Sequence, residues 1–138
     1  RRHGVDADLV EVEITESVVA EAPVQAQIDR LKSEGFAVTI DDFGKEHSNL
    51  AQVAAFHADA VKIDKSIIDD CLGNPRTAAI VHTILDLARR LEMDTVAEGV
   101  ETLEQVEWLR GAGCSRVQGY AIARPMDVDD FVEFAQAA

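Results

Sequence analysis

Val10-Glu11-Val12-Glu13-Ile14 alternates apolar and acidic side chains residue by residue. Successive side chains of a β-strand point to opposite faces, so Val10, Val12 and Ile14 share one face and Glu11 and Glu13 the other. The same parity puts Thr39 with Asp41, and Lys62 with Asp64, in two later strand-like runs. A parallel strand buried between two helix layers reads as a continuous apolar run. These strands instead pair an apolar face with an acidic one. That pattern predicts a curled sheet, with helices over its apolar outer face and a polar lumen near the C-terminal mouth.

Moving outward, strand candidates recur at Leu9–Thr15, Phe36–Asp41, Ala60–Asp64, Asp94–Glu98 and Arg116–Tyr120. Amphipathic helices fill the intervals. One starts near Pro23, carries Val24, Ile28 and Leu31 on one face, and stops at Gly35. Ser48 can cap a helix with Leu50, Val53 and Ala54 inside. Pro75 opens the longest helix, with an expected stripe of Ile80, Ile84, Leu87 and Leu91. Thr102 and Gln105 form a capping-box pattern before Val106 and Leu109. A last helix from Val128 to about Ala135 is expected to bury Phe131 and Phe134. Repeated strand–helix units imply right-handed crossovers and a parallel sheet. The fold class predicted is α/β, a TIM-like (β/α) barrel represented by about five strands and their flanking helices.

The 138 residues suffice for one compact unit, and 47% hydrophobic with 28% charged residues is too apolar for disorder. Apolar runs are short and Arg1-Arg2-His3-Gly4 has no apolar core, so neither a membrane segment nor a signal peptide is expected. Cys71 and Cys114 lack disulfide or metal spacing, which suits a reducing cytoplasm. A net charge of −13 argues against duplex nucleic acid as a partner. His3, His47, His57 and His82 are scattered and read as surface or packing residues. Gly111 and Gly113 read as a helix end, and Trp108 and Tyr120 as core or rim aromatics.

The ionisable residues collect at strand ends: Glu13 and Glu16, Asp41-Asp42, Lys62 and Asp64, Glu98 and Glu101, with Gln118 ending the fifth strand. Active sites of (β/α) barrels form where strands end and loops begin. Several carboxylates facing one lumen repel one another, and divalent cations resolve that conflict. Oxygen ligands without His or Cys favour Mg²⁺ or Mn²⁺. Two such ions suit hydrolysis of a phosphodiester, with Lys62 orienting water or offsetting phosphoryl charge. The plainer alternative is a buried salt-bridge network centred on Lys62.

Five blocks then carry a family likeness. Glu13-Ile14-Thr15-Glu16-Ser17, Asp41-Asp42-Phe43-Gly44, Val61-Lys62-Ile63-Asp64-Lys65-Ser66, Ala97-Glu98-Gly99-Val100-Glu101-Thr102 and Gln118-Gly119-Tyr120 followed by Pro125 resemble, in order and spacing, the signature blocks of the EAL domain. The resemblance implies a TIM-like barrel that hydrolyses cyclic di-GMP to linear pGpG with Mg²⁺ or Mn²⁺. It places Glu13, Asp41, Asp42 and Glu98 at metal positions, with Lys62 near the nucleophilic water and Glu98 as a further catalytic group. Glu16 matches a residue bracing the loop after the Asp-Asp pair, and Glu101 and Gln118 match supporting or ligand-contacting positions. A homodimer and upstream regulatory domains also follow from the likeness.

The sequence departs from the family in two places. The Glu-Ala-Leu strand and an Asn-bearing strand, both sources of metal ligands, would lie upstream of Glu13. Five strands cannot close a barrel of eight, so residues 1–138 are expected to be an N-terminally truncated single domain, inactive alone. Secondly, Lys45-Glu46-His47-Ser48-Asn49-Leu50 stands where the family usually has Thr-Gly-Tyr-Ser-Ser-Leu. A non-catalytic cyclic di-GMP receptor or protein-interaction module is therefore the alternative function. A Schiff-base lysine at Lys62, as in aldolases, ranks below both, because surrounding carboxylates keep that amine protonated.

Overall fold

Among the described residues, five strands form one parallel sheet in the order β1-β2-β3-β4-β5, each beside its neighbours in sequence. They are β1 Glu11–Thr15, β2 Ala37–Phe43, β3 Ala60–Ile63, β4 Asp94–Ala97 and β5 Arg116–Val117. The helices are α1 Val24–Ser33, α2 Leu50–Ala55, α3 Lys65–Ile68, α4 Pro75–Arg90, α5 Leu103–Ala112 and α6 Val128–Ala137. The computed structural model describes residues 5–15, 24–45 and 50–137. Unbroken sequential order, without the reversal that marks a doubly wound sheet, is the winding of a (β/α) barrel.

The sheet is curled. Arg116 Nη1 on β5 lies 3.6 Å from Glu11 Oε2 on β1, although three strands separate them. In a flat sheet those two strands would stand roughly 19 Å apart, at about 4.8 Å per strand. The concave face therefore looks inward from both ends of the sheet, and a cavity of about 390 Å³ is lined by residues of both edge strands.

Side-chain parity follows the alternation read from the sequence. Val38, Ile40, Val61 and Ile63 point outward and are fully buried with Ile28, Val53, Val81 and Leu109 of the helices. Thr39, Lys62, Glu11 and Glu13 face the concave side, where Thr39 Oγ1 donates to Glu11 Oε1. Below the lumen, Lys32 Nζ donates to the carbonyl of His57 and to Asp59 Oδ1 at 2.7 Å, while Asp59 Oδ2 accepts from Val38 N. These contacts bind α1 to the starts of β2 and β3.

Several local signals act as read. Pro75 opens α4, where the structure adds Asn74 as its cap, and Thr102 and Gln105 form a reciprocal capping box on α5. Gly113 ends α5 in the left-handed conformation at φ +90°. On α1, Ile28 is buried between half-buried Val24 and Leu31. Pro23 and Ser48 lie outside the described residues.

Other expectations need correction. The buried face of α4 is Val81, Ile84, Leu85 and Ala88, whereas Ile80 is 50% exposed. The helix is rotated about its axis by roughly one residue from the expected stripe, so that Val81, Leu85 and Ala88 are buried and Ile80 is not. Ala54 of α2 is exposed. Phe131 and Phe134 of α6 are 57% and 40% exposed rather than buried. β5 ends at Val117 instead of Tyr120, since the chain turns away at Gly119. The short α3, absent from the sequence reading, forms because Asp64 caps it through Ser66 N and Oγ.

Candidate active site

Lys62 sits at the centre of the concave face with its side chain 8% exposed. Its Nζ lies 2.7 Å from Glu13 Oε1 of β1, 3.2 Å from Asp41 Oδ1 of β2 and 2.9 Å from Glu98 Oε1 just past β4. Parity aims each of these side chains inward, and curvature brings four strands' worth of them to one ammonium. Burial works against the charge on Lys62. The hydrogen bonds Lys62 donates to Glu13 and Glu98, and the charge of Glu98, outweigh it and hold the lysine pKa above its ordinary value. Lys62 is thus a fixed cation, able to donate hydrogen bonds and unsuited to act as a nucleophilic amine.

Asp41 Oδ1 is buried without a hydrogen bond of acceptable direction, even though the ammonium is 3.2 Å away. Three carboxylates against one lysine also leave the cluster with an excess of two negative charges. An orphaned carboxylate oxygen, an anionic excess and an all-oxygen donor set fit a hard divalent cation. The same contacts are equally those of the Lys62-centred ion network that the sequence allowed. Among the described residues, no three His, Cys, Asp or Glu side chains are gathered in a ready-made ion site.

Asp42 is not drawn into this cluster. Register shifts between Ile40 and Phe43, and Asp42 takes a left-handed φ of +57°, which Asp tolerates better than most residues. Its Oδ1 lies 3.4 Å from Lys45 Nζ. Burial raises the Asp64 carboxyl, but the Ser66 hydroxyl and amide and the Lys45 charge outweigh it and hold Asp64 below the usual carboxylate range. Asp64 therefore serves as a helix cap. Glu101 pairs with Lys65 at 2.8 Å. Gln118 is anchored by its backbone, donating to Ala97 O at 2.8 Å and accepting from Val100 N at 3.0 Å. Gln118 borders both the cavity beside Lys62 and a second one of about 430 Å³ between Lys65, Glu98 and Tyr120. Glu16 lies outside the described residues.

One lumen residue, Arg116, was not singled out from the sequence, whereas Tyr120 takes the rim position read for it. Arg116 joins Lys62 and Gln118 around the first cavity, and it shares the parity of Gln118, which is the signal that could have found it. Tyr120, at the rim, lies under the guanidinium of Arg124 at 4.5 Å. Of the histidines, His82 packs against Trp108 with ring centroids 5.3 Å apart, and His57 is exposed. His3 and His47 are outside the described residues. No helix among those residues is long and apolar enough to cross a membrane.

The EAL domain family model matches residues 1–125. The chain is 37% identical over 136 residues to the cyclic di-GMP phosphodiesterase NbdA of Pseudomonas aeruginosa, covering 97% of this chain and 17% of that protein. It superposes on the PaMucR phosphodiesterase in complex with c-di-GMP with a TM-score of 0.88 at 34% identity, over 94% of this chain and 53% of that one. It also matches the manganese and c-di-GMP complex of Klebsiella pneumoniae BlrP1, with a TM-score of 0.83 at 32% identity over 90% of this chain and 32% of that one. The chain spans 16% to 20% of the length of the first curated relatives it matches. With its sequentially wound, curled sheet and its lumen of inward carboxylates around Lys62, this chain belongs to the EAL domain family, as part of a (β/α) barrel.

Proposed function

We propose that this sequence supplies the C-terminal part of a domain that hydrolyses cyclic di-GMP to linear pGpG, the remaining strands coming from residues outside it. The observation that carries the reading is Lys62 held within 3.2 Å of Glu13, Asp41 and Glu98. A phosphodiester is an anion, and it cannot approach an excess of two carboxylates without added positive charge. Glu13, Asp41 and Glu98, with Asp42 across the bulge, would hold Mg²⁺ or Mn²⁺, in all two ions. When bound, such ions lower the pKa of water and stabilise charge on phosphoryl oxygens.

The chain's own groups do the rest. The Lys62 ammonium keeps its proton and donates to the attacking water or to a non-bridging phosphoryl oxygen, orienting it as charge develops. Glu98, whose Oε1 lies 2.9 Å from Lys62 Nζ, would accept the proton released by the attacking water. Gln118 lines the cavity beside Lys62 and would contact the nucleotide. Glu101, paired with Lys65, would support the loop after β4, and Glu16, outside the described residues, would brace the loop after Asp41-Asp42. The position of Asp42 against Lys45 favours a second reading, a receptor that binds cyclic di-GMP without turning it over.

Incubating the full-length protein with cyclic di-GMP and Mn²⁺, and separating products by chromatography, decides between them. Formation of pGpG, reduced at least roughly 100-fold in Lys62→Met, is the expected result. Saturable binding with no pGpG would establish the receptor instead.

A further inference from the structure

Lys65, the first residue of α3, makes contacts that the proposed chemistry does not use. Its Nζ lies 2.6 Å from Asp69 Oδ1 at the C-terminal end of its own helix and 2.8 Å from Glu101 Oε1 on the loop after β4. Its aliphatic stem crosses directly over Gly99. A Cβ on Gly99 would stand 2.4 Å from Lys65 Cγ and 2.5 Å from Cδ, and Gly99 itself has a φ of +65°. Glycine at that position is what lets the lysine lie flat on the loop backbone. The spanned segment, Glu98-Gly99-Val100-Glu101, begins with the carboxylate that meets Lys62 at 2.9 Å. Its amides are otherwise held by Glu98 N to Ile63 O, Val100 N to Gln118 O and Glu101 N to Gln105 Oε1.

An exposed ion pair by itself contributes little. Lys65 differs in combining two carboxylate partners with a stem pressed against backbone, so it fixes a loop as well as a charge. We propose that Lys65 is a positioning residue: it straps the loop after β4 onto α3 and thereby keeps the Glu98 carboxylate at Lys62. The functional consequence rests on the reading that Glu98 takes part in hydrolysis. The strap itself does not.

Two measurements on the full-length protein separate those claims. Hydrogen exchange of the 98–101 amides tests the strap. Lys65→Ala should speed exchange about tenfold there and leave β3 unchanged, with Lys65→Arg close to wild type. Unchanged exchange in Lys65→Ala, or equal loosening of β3, overturns the proposal. Kinetics test the consequence. Lys65→Ala should lower kcat for cyclic di-GMP by roughly ten- to a hundredfold with KM within about twofold, because the geometry of a reacting group is lost and binding is not. An unchanged kcat, or an equal loss in Lys65→Arg, also counts against it. If loop exchange rises but neither wild type nor variants form pGpG, the strap stands and the catalytic reading fails.

Discussion

At the residue scale, the decisive object is one lysine shared by three carboxylates. Because Lys62 stays charged, its contribution is electrostatic, and the least engaged partner is Asp41, whose Oδ1 lacks a directed hydrogen bond. Asp41→Asn should therefore abolish pGpG formation in the full-length protein while changing its unfolding free energy by less than about 1 kcal/mol. Wild-type turnover in that variant would remove Asp41 from the site. Asp64 makes the opposite case, a carboxylate whose work is structural. Its pKa is depressed in the folded state, so the stability it adds is present above the ordinary carboxylate pKa, about 3.9, and fades as pH falls through the lower folded value. Asp64→Ala should cost about 1 kcal/mol at pH 7 through loss of the α3 cap. In urea titrations that deficit should shrink at pH below about 4, and a deficit independent of pH would contradict the capping role.

At the scale of elements, packing selects among residues that periodicity treats alike. Ile80 and Val81 are adjacent, and both continue an apolar stripe to Ile84, yet only Val81 is sealed in the core. Val81→Ala should destabilise by about 2 kcal/mol, from two lost buried carbon groups and the resulting cavity. Ile80→Ala should stay within about 0.5 kcal/mol. Comparable losses in chemical denaturation would mean that α4 sits in the other rotation. The starts of this helix and of α5 were legible because they depend on residues within a single turn: Pro75, and Thr102 with Gln105. The burial of α6 was not legible. Its apolar face is written in Val128, Phe131 and Val132, but whether anything covers that face depends on surfaces elsewhere.

For the whole molecule, curvature turns a row of strand ends into a site. The 3.6 Å contact between Arg116 and Glu11 shows the sheet bent far enough for its two outer strands to face one cavity. Chelation tests the proposed chemistry at this scale. EDTA should stop hydrolysis by the full-length protein and Mn²⁺ should restore it, as read by pGpG formation. Activity persisting in metal-free buffer would break the metal assignment and leave Lys62 to carry the phosphoryl charge alone.

The sequence by itself determined which side of each strand is acidic, where the helices α4 and α5 begin, the order of the strand–helix units and the family likeness. Those properties depend on residues a few positions apart, and alternation or capping expresses them directly. Only the tertiary structure decided that Glu13, Asp41 and Glu98 converge on Lys62 while Asp42 turns toward Lys45 and Glu101 toward Lys65. That outcome rests on the curl of the sheet and the bulge at Asp41-Asp42, which arise from the packing of many elements and leave no periodic trace in the chain.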